Sequence, residues 1–234
     1  MSAGVRTSLQ IAILLGVLAL PVLLLSWLQP SLPPWLVQVA FLLVLPAAAG
    51  TAYWMSRSFG GPGELGLVRP ASWLGTLALG IGAGLGMLLA ARLIINPLAV
   101  AIFGQWLDPT MFDPLEGQVA QLLINVVLIS WVHAALCEEI IFRGFFLRWT
   151  ERLLGGGTKA LAVAILVQAL LFGLSHYPQG PPGMMVTAMG GILWGGIFVA
   201  AGRRLWIVIV GHATFDTVLF VLVFLGQHRL FLPG

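Results

Sequence analysis

The feature that most constrains this chain is a succession of seven long apolar stretches, almost empty of charge. They lie near Ser8–Leu28, Pro34–Met55, Ser72–Ile95, Gln118–Leu147, Lys159–His176, Gly183–Ala201 and Leu205–Gly226. Each is long enough, at about 1.5 Å of helix per residue, to cross about 30 Å of hydrocarbon. Only 8% of residues are charged and 59% are hydrophobic, and the mean hydropathy is +1.02. A water-soluble fold of this length has no interior large enough to hide so much apolar side chain. Soluble enzyme, nucleic-acid binder and disordered chain are all excluded as classes. No apolar/polar alternation of period two appears, which argues against a membrane barrel. The expected fold is all-α: a polytopic membrane helix bundle of about seven transmembrane helices, one transmembrane domain over residues 1–234.

Loop charges orient such a bundle. With the N-terminus inside, the inner segments carry Arg6, Arg57, Arg69, Arg148, Arg152, Lys159, Arg203 and Arg204, and the outer ones only Arg229. Arg92 and Arg143 remain within spans. The expected topology is N-terminus cytoplasmic and C-terminus outside. The pI of 9.8 therefore reflects cytoplasmic loops and not a nucleic-acid partner. The longest connection, around Asn96–Gly117, carries Asp108, Asp113 and Glu116. The first stretch is too long for a signal-peptide core and lacks a small-residue cleavage site, so it is expected to be retained. The single cysteine, Cys137, excludes an internal disulfide framework and a four-cysteine zinc site.

Gly80, Gly82, Gly84 and Gly86 in the third stretch, and Gly191 and Gly195 in the sixth, form small-xxx-small patterns. These are expected to let helix backbones approach closely. A looser packing that admits substrate sideways between helices is the functional alternative. No internal repeat supports an inverted-repeat transporter.

The chemistry sits in what remains once loop charges are set aside: Glu138, Glu139 and Asp216, with His133, His176 and His212. A charge in hydrocarbon costs about 3 kcal/mol or more, so each is a functional candidate. Glu139 and Arg143 are spaced i, i+4 with the acid first, the favourable order for an ion pair. Adjacent residues lie about 100° apart on a helix, so Glu138 would project elsewhere, uncompensated and available as a general base. The converse, Glu138 on Arg143 with Glu139 free, stays open. Phe172 and His176 are one turn apart. His212 and Asp216 are also i, i+4, so the carboxylate can orient the imidazole. His133 lies five residues before Glu138, about 140° around a regular helix, and is read as packing or outer support. Along upright helices Glu138 and His212 lie about 12–15 Å from the inner ends of their spans, and His176 about 25 Å from its own. Convergence therefore requires a tilted fifth span or a shifted fourth, around a cavity that admits water.

Glu-Glu-xxx-Arg, Phe-xxx-His and His-xxx-Asp, in that order on late apolar spans, resemble the CPBP family: type II CAAX prenyl proteases of the Ras-converting type and bacteriocin-processing or immunity proteins. The resemblance covers roughly Leu122–Phe224, within a protease-like core at about 118–226. It implies intramembrane endopeptidase activity on a peptide or protein substrate, prenylated or not, within membrane lipids. It implies Glu138 as the base that activates water and His176 as its second holder. His212 and Asp216 would stabilise the oxyanion or complete the site, with Glu139, Arg143 and Phe172 in support. Many relatives carry Asn where Asp216 stands; an ionised Asp cannot donate a hydrogen bond to an oxyanion, so Asp216 either acts protonated or orients His212.

Three alternatives accompany this reading. Glu138, His176, His212 and Asp216 could hold a divalent metal such as zinc, although no His-Glu-xx-His helix is present; the resemblance favours no cofactor. A thiol mechanism on Cys137 is disfavoured by apolar and acidic surroundings. From a different class, buried Glu, His and Asp could relay protons or ions in a transporter, or the chain could be a non-catalytic immunity-type protein. Compact loops and the absence of an organellar targeting signal favour a prokaryotic plasma membrane.

Overall fold

The computed structural model describes residues 2–28, 31–104 and 115–227, leaving aside the side chains of 34, 35, 38 and 41. Asp108, Asp113 and Arg229 lie outside the described residues. Among those described the chain is helical without strand. Seven long helices form: α1 Ala3–Leu28, α2 Pro34–Ser56, α3 Trp73–Phe103, α4 Val119–Leu153, α5 Gly157–Ser175, α6 Gly180–Ala200 and α7 Leu205–Phe224. Six of them, all but α2, are long and apolar enough to cross a membrane. The 23 residues of α2 also reach about 34 Å. The chain is an integral membrane protein, built as an all-α bundle.

Two helices depart from regular winding. Pro97 cannot donate a backbone hydrogen bond and its ring crowds the preceding turn. Just before it α3 opens into a π turn over Ala91–Ile95, where the Asn96 amide reaches the Ala91 carbonyl. In α4 the i→i+5 pattern runs over Asn125–Glu138 and again over Ile140–Leu147. π turns are rare and concentrate at functional sites. The third apolar stretch thus continues eight residues beyond Ile95, as the helical run Asn96–Phe103, where a connection was expected.

The middle of α4 is the core of the bundle. Every residue from Cys137 to Leu147 is buried, including the charged Glu138, Glu139 and Arg143. Phe145 stacks on Trp149 with centroids 4.5 Å apart, and Phe59 meets Trp149 edge-on. Gln10 of α1 accepts from the Trp149 indole at 2.8 Å and donates to Ser58 Oγ at 2.9 Å, tying α1 to both neighbours.

Glycine sets the closest helix contacts. A methyl group at Gly84 would stand 2.5 Å from the Gly211 carbonyl, and one at Gly80 2.6 Å from Val210, so α3 lies flush on α7. Gly191 faces Ala169 and Gly195 faces Gln168, closing α5 onto α6. Gly82 and Gly86, read from sequence as part of the same pattern, have nothing within 4 Å among the described residues, because only alternate members of an i, i+2 series face one neighbour.

The cationic loops gather at one end. Glu64 accepts from Arg152 at 2.7 Å and Arg148 at 3.4 Å. Arg203 pairs with Glu151 at 2.7 Å. Arg6 and Arg152 both lie over the Phe59 ring. At the other end the Gly117 amide donates to the Phe224 carbonyl, and Glu116 lies beside Gly226.

Candidate active site

Glu139 and Arg143, one turn apart on α4 and fully buried, form an ion pair at 2.8 Å. The alternative with Glu138 on Arg143 does not form. The guanidinium also lies 4.4 Å from the centroid of the Phe172 ring. That face-on contact serves a cation whose Nε and Nη2 have no hydrogen-bond partner among the described residues.

The same carboxylate oxygen, Glu139 Oε1, accepts a second bond from His212 Nδ1–H at 2.7 Å. This fixes the imidazole's orientation and turns Nε2 toward the interior. Nε2 then faces two further carboxylates, Asp216 Oδ2 at 3.7 Å and Glu138 Oε2 at 4.0 Å. Trp194 of α6 lies nearly parallel to the His212 ring at 5.9 Å, and Phe172 meets it edge-on at 6.3 Å. Glu139 thus takes Arg143 while Glu138 projects into the cavity, and the His212 ring stands between the two carboxylates, with Nδ1 on Glu139 and Nε2 toward Glu138.

His176 follows the last turn of α5. Its Nδ1–H donates to the Phe172 carbonyl at 2.9 Å, and its ring meets Phe172 edge-on at 4.9 Å. The imidazole thus folds back along its helix, in the direction in which helical side chains lean. The sequence had placed His176 too far out; this backward lean shortens the reach. With Nδ1 held by the backbone, Nε2 is the free nitrogen. Phe172 therefore touches Arg143, His176 and His212 at once.

Glu138, His176, His212 and Asp216 all line one cavity of about 380 Å³. Its wall is mostly apolar and comes from five helices, including the π-wound parts of α3 and α4. His133 also lines it. Five residues are close to one π turn, so His133 and Glu138 share a face that regular winding would have split. His133 Nε2 is buried without a hydrogen-bond partner among the described residues. Asn96, Gln179 and Thr187, with the rings of Trp194, Phe215 and Phe220, add to the polar and aromatic lining; no spacing signal in the sequence ties them to the site. Cys137 is buried in the core and absent from the cavity wall.

Among the described residues, no three of His, Cys, Asp and Glu are arranged to hold a metal ion. The four cavity residues, as placed, do not make the zinc shell considered above.

Residues 120–218 match the family model described as Rce1-like, type II CAAX prenyl endopeptidase Rce1-like. No curated protein and no solved structure matches the chain. The matched segment contains Glu138, Glu139, Arg143, His176, His212 and Asp216.

Proposed function

For a chain whose residues 120–218 match the Rce1-like type II CAAX prenyl endopeptidase family model, we propose an intramembrane endopeptidase that hydrolyses a peptide bond with water activated by Glu138. The observation that supports it is the meeting of Glu138, His176, His212 and Asp216, from three separate helices, on one cavity. Glu138 is the carboxylate that Arg143 does not neutralise, which leaves it available to accept a proton.

Water held between Glu138 and the free Nε2 of His176 attacks the scissile carbonyl carbon, and its proton passes to Glu138. The carbonyl π pair moves to oxygen, giving a tetrahedral oxyanion. His212, as an imidazolium with Nδ1–H on Glu139, presents Nε2–H to that oxyanion, and Asp216 holds the ring from the cavity side. When the oxyanion collapses the C–N bond breaks, and the proton on Glu138 goes to the departing amine. Glu139, Arg143 and Phe172 hold His212 and His176 in register and take no proton.

No divalent metal enters this scheme. The substrate is a peptide or protein segment that can enter an apolar, lipid-flanked cavity, prenylated or not. The eight basic residues of the loop-rich end favour that end, with the N-terminus, on the cytoplasmic side; compact loops favour a prokaryotic plasma membrane.

The test is hydrolysis by the reconstituted protein of a peptide library with prenylated and free carboxyl termini. Wild type is expected to cleave, also in excess chelator. Glu138→Gln and His176→Ala are expected to lose about 10²–10⁴-fold in kcat. Full cleavage by Glu138→Gln overturns the assignment. Loss of wild-type cleavage on chelation overturns the metal-free scheme. Ion flux through wild-type liposomes that both substitutions abolish would favour the proton- or ion-relay reading instead.

A further inference from the structure

The cavity and the basic loops lie at opposite ends of the bundle. From this we infer that the site opens away from the cytoplasm, and that its substrate is an apolar segment of an exported or membrane-inserted protein presented at the outer face, not a cytoplasmic chain terminus. The inference rests on the peptidase reading above and adds the side of approach.

Three observations carry it. The first is charge. Arg6, Arg57, Arg69, Arg148, Arg152, Lys159, Arg203 and Arg204 belong to the turns and helix ends around α1–Ser2, α2–α3, α4–α5 and α6–α7. Contacts draw these turns together: Glu64 with Arg148 and Arg152, Glu151 with Arg203, and the Leu205 amide on the Gly66 carbonyl. Short loops this rich in Lys and Arg stay on the cytoplasmic side.

The second is where the cavity lies along each helix. α3 contributes only from Met87 onward, α4 only up to Glu138, α5 only from Phe172, α6 only up to Trp194, and α7 only from His212. In every case the contribution runs from near the middle of the helix, or beyond it, toward the end remote from the basic loops. His212 stands seven residues beyond Leu205, about 10 Å into the bundle, and Val223 about 27 Å. The cavity therefore rises from the acids and imidazoles toward the α5–α6 turn, where Gln179 borders it.

The third is the floor. Between the site and the basic end the bundle is filled by Phe142, Phe145, Phe146 and Trp149, all buried and ring-packed. Among the described residues, a chain arriving from the cytoplasm meets this plug; one arriving from the other face meets Ile95, Ile129, Leu219, Phe220 and Val223. Such a wall takes up apolar side chains from a segment already in, or held against, the outer half of the bilayer.

The sole cysteine permits a direct test. In the full-length protein with Cys137→Ala, single cysteines replace Lys159 and Tyr177, both exposed and at opposite ends of α5. A membrane-impermeant maleimide applied to intact cells is expected to label Tyr177→Cys at once and Lys159→Cys only after permeabilisation. The reverse pattern, or labelling of both in sealed cells, overturns the inference and leaves the peptidase reading standing. The same labelling orients proteoliposomes, and an apolar reporter peptide is then supplied on one side or the other. Cleavage is expected only from the side that exposes Tyr177→Cys; cleavage only from the Lys159 side overturns the inference. Glu138→Gln is expected to abolish cleavage without altering the labelling. If Glu138→Gln cleaves fully while the labelling holds, the catalytic assignment falls and the sidedness stands.

Discussion

At the residue scale, one oxygen atom organises the site. Glu139 Oε1 receives both Arg143 and His212, so the buried cation and the imidazole are positioned through a common acceptor. Charges this deep are tolerated only when paired. Asp216 meets the same imidazole from the cavity side, 3.7 Å away. If its task is to face a developing oxyanion or to orient His212, an amide can replace it and a methyl group cannot. Asp216→Asn is expected to keep kcat/KM for peptide hydrolysis within about tenfold, about 1.4 kcal/mol in the barrier. Asp216→Ala is expected to lose about 10²–10³-fold. Wild-type kinetics in Asp216→Ala would remove this residue from the mechanism.

At the element scale, helix contacts are set by which glycines meet a neighbour. Gly84→Ala is expected to destabilise the protein by about 1–3 kcal/mol through overpacking against Gly211 and Thr214. Gly86→Ala, with open space around it, is expected to be neutral or slightly stabilising. Thermal unfolding in detergent separates the two; equal effects would mean that α3 does not pack on α7 as described. The same elements show how much was legible in the sequence. The apolar stretches marked the helices, and i, i+4 spacing marked the Glu139–Arg143 pair, because hydropathy and local spacing are one-dimensional quantities. The placement of both Glu138 and Glu139 about His212, and of His133 on the cavity wall, was hidden. Those depend on winding: a period of 3.6 residues was assumed where α4 runs with i→i+5 bonds. The contacts of Gln10 with Trp149 and of Trp194 with His212 join residues far apart in sequence, and no local pattern encodes them.

At the scale of the whole molecule, the bundle is polarised, with cations at one end and the cavity toward the other. If loop charge sets the insertion direction, weakening it should scramble that direction without touching the chemistry. Arg203 has φ 60°, a left-handed conformation that Asn also tolerates, so Arg203→Asn with Arg204→Asn keeps the α6–α7 turn. The double variant is expected to yield a mixed population, with Lys159→Cys partly labelled in sealed cells. An unchanged single orientation would show that the remaining cations suffice. The grip on His212 has a last consequence. Its ring is hemmed in by Glu139, Phe172 and Trp194 from three different helices, and Gly211 beside it lies against Trp194 with no room for a methyl group. An imidazole so confined has no travel of its own, and what must yield is the visitor. A transmembrane segment keeps its carbonyls engaged in its own helix, so on the peptidase reading proposed above the bond to be cut has to be unravelled before it reaches His212, and sequences that fray easily are expected to be cleaved fastest.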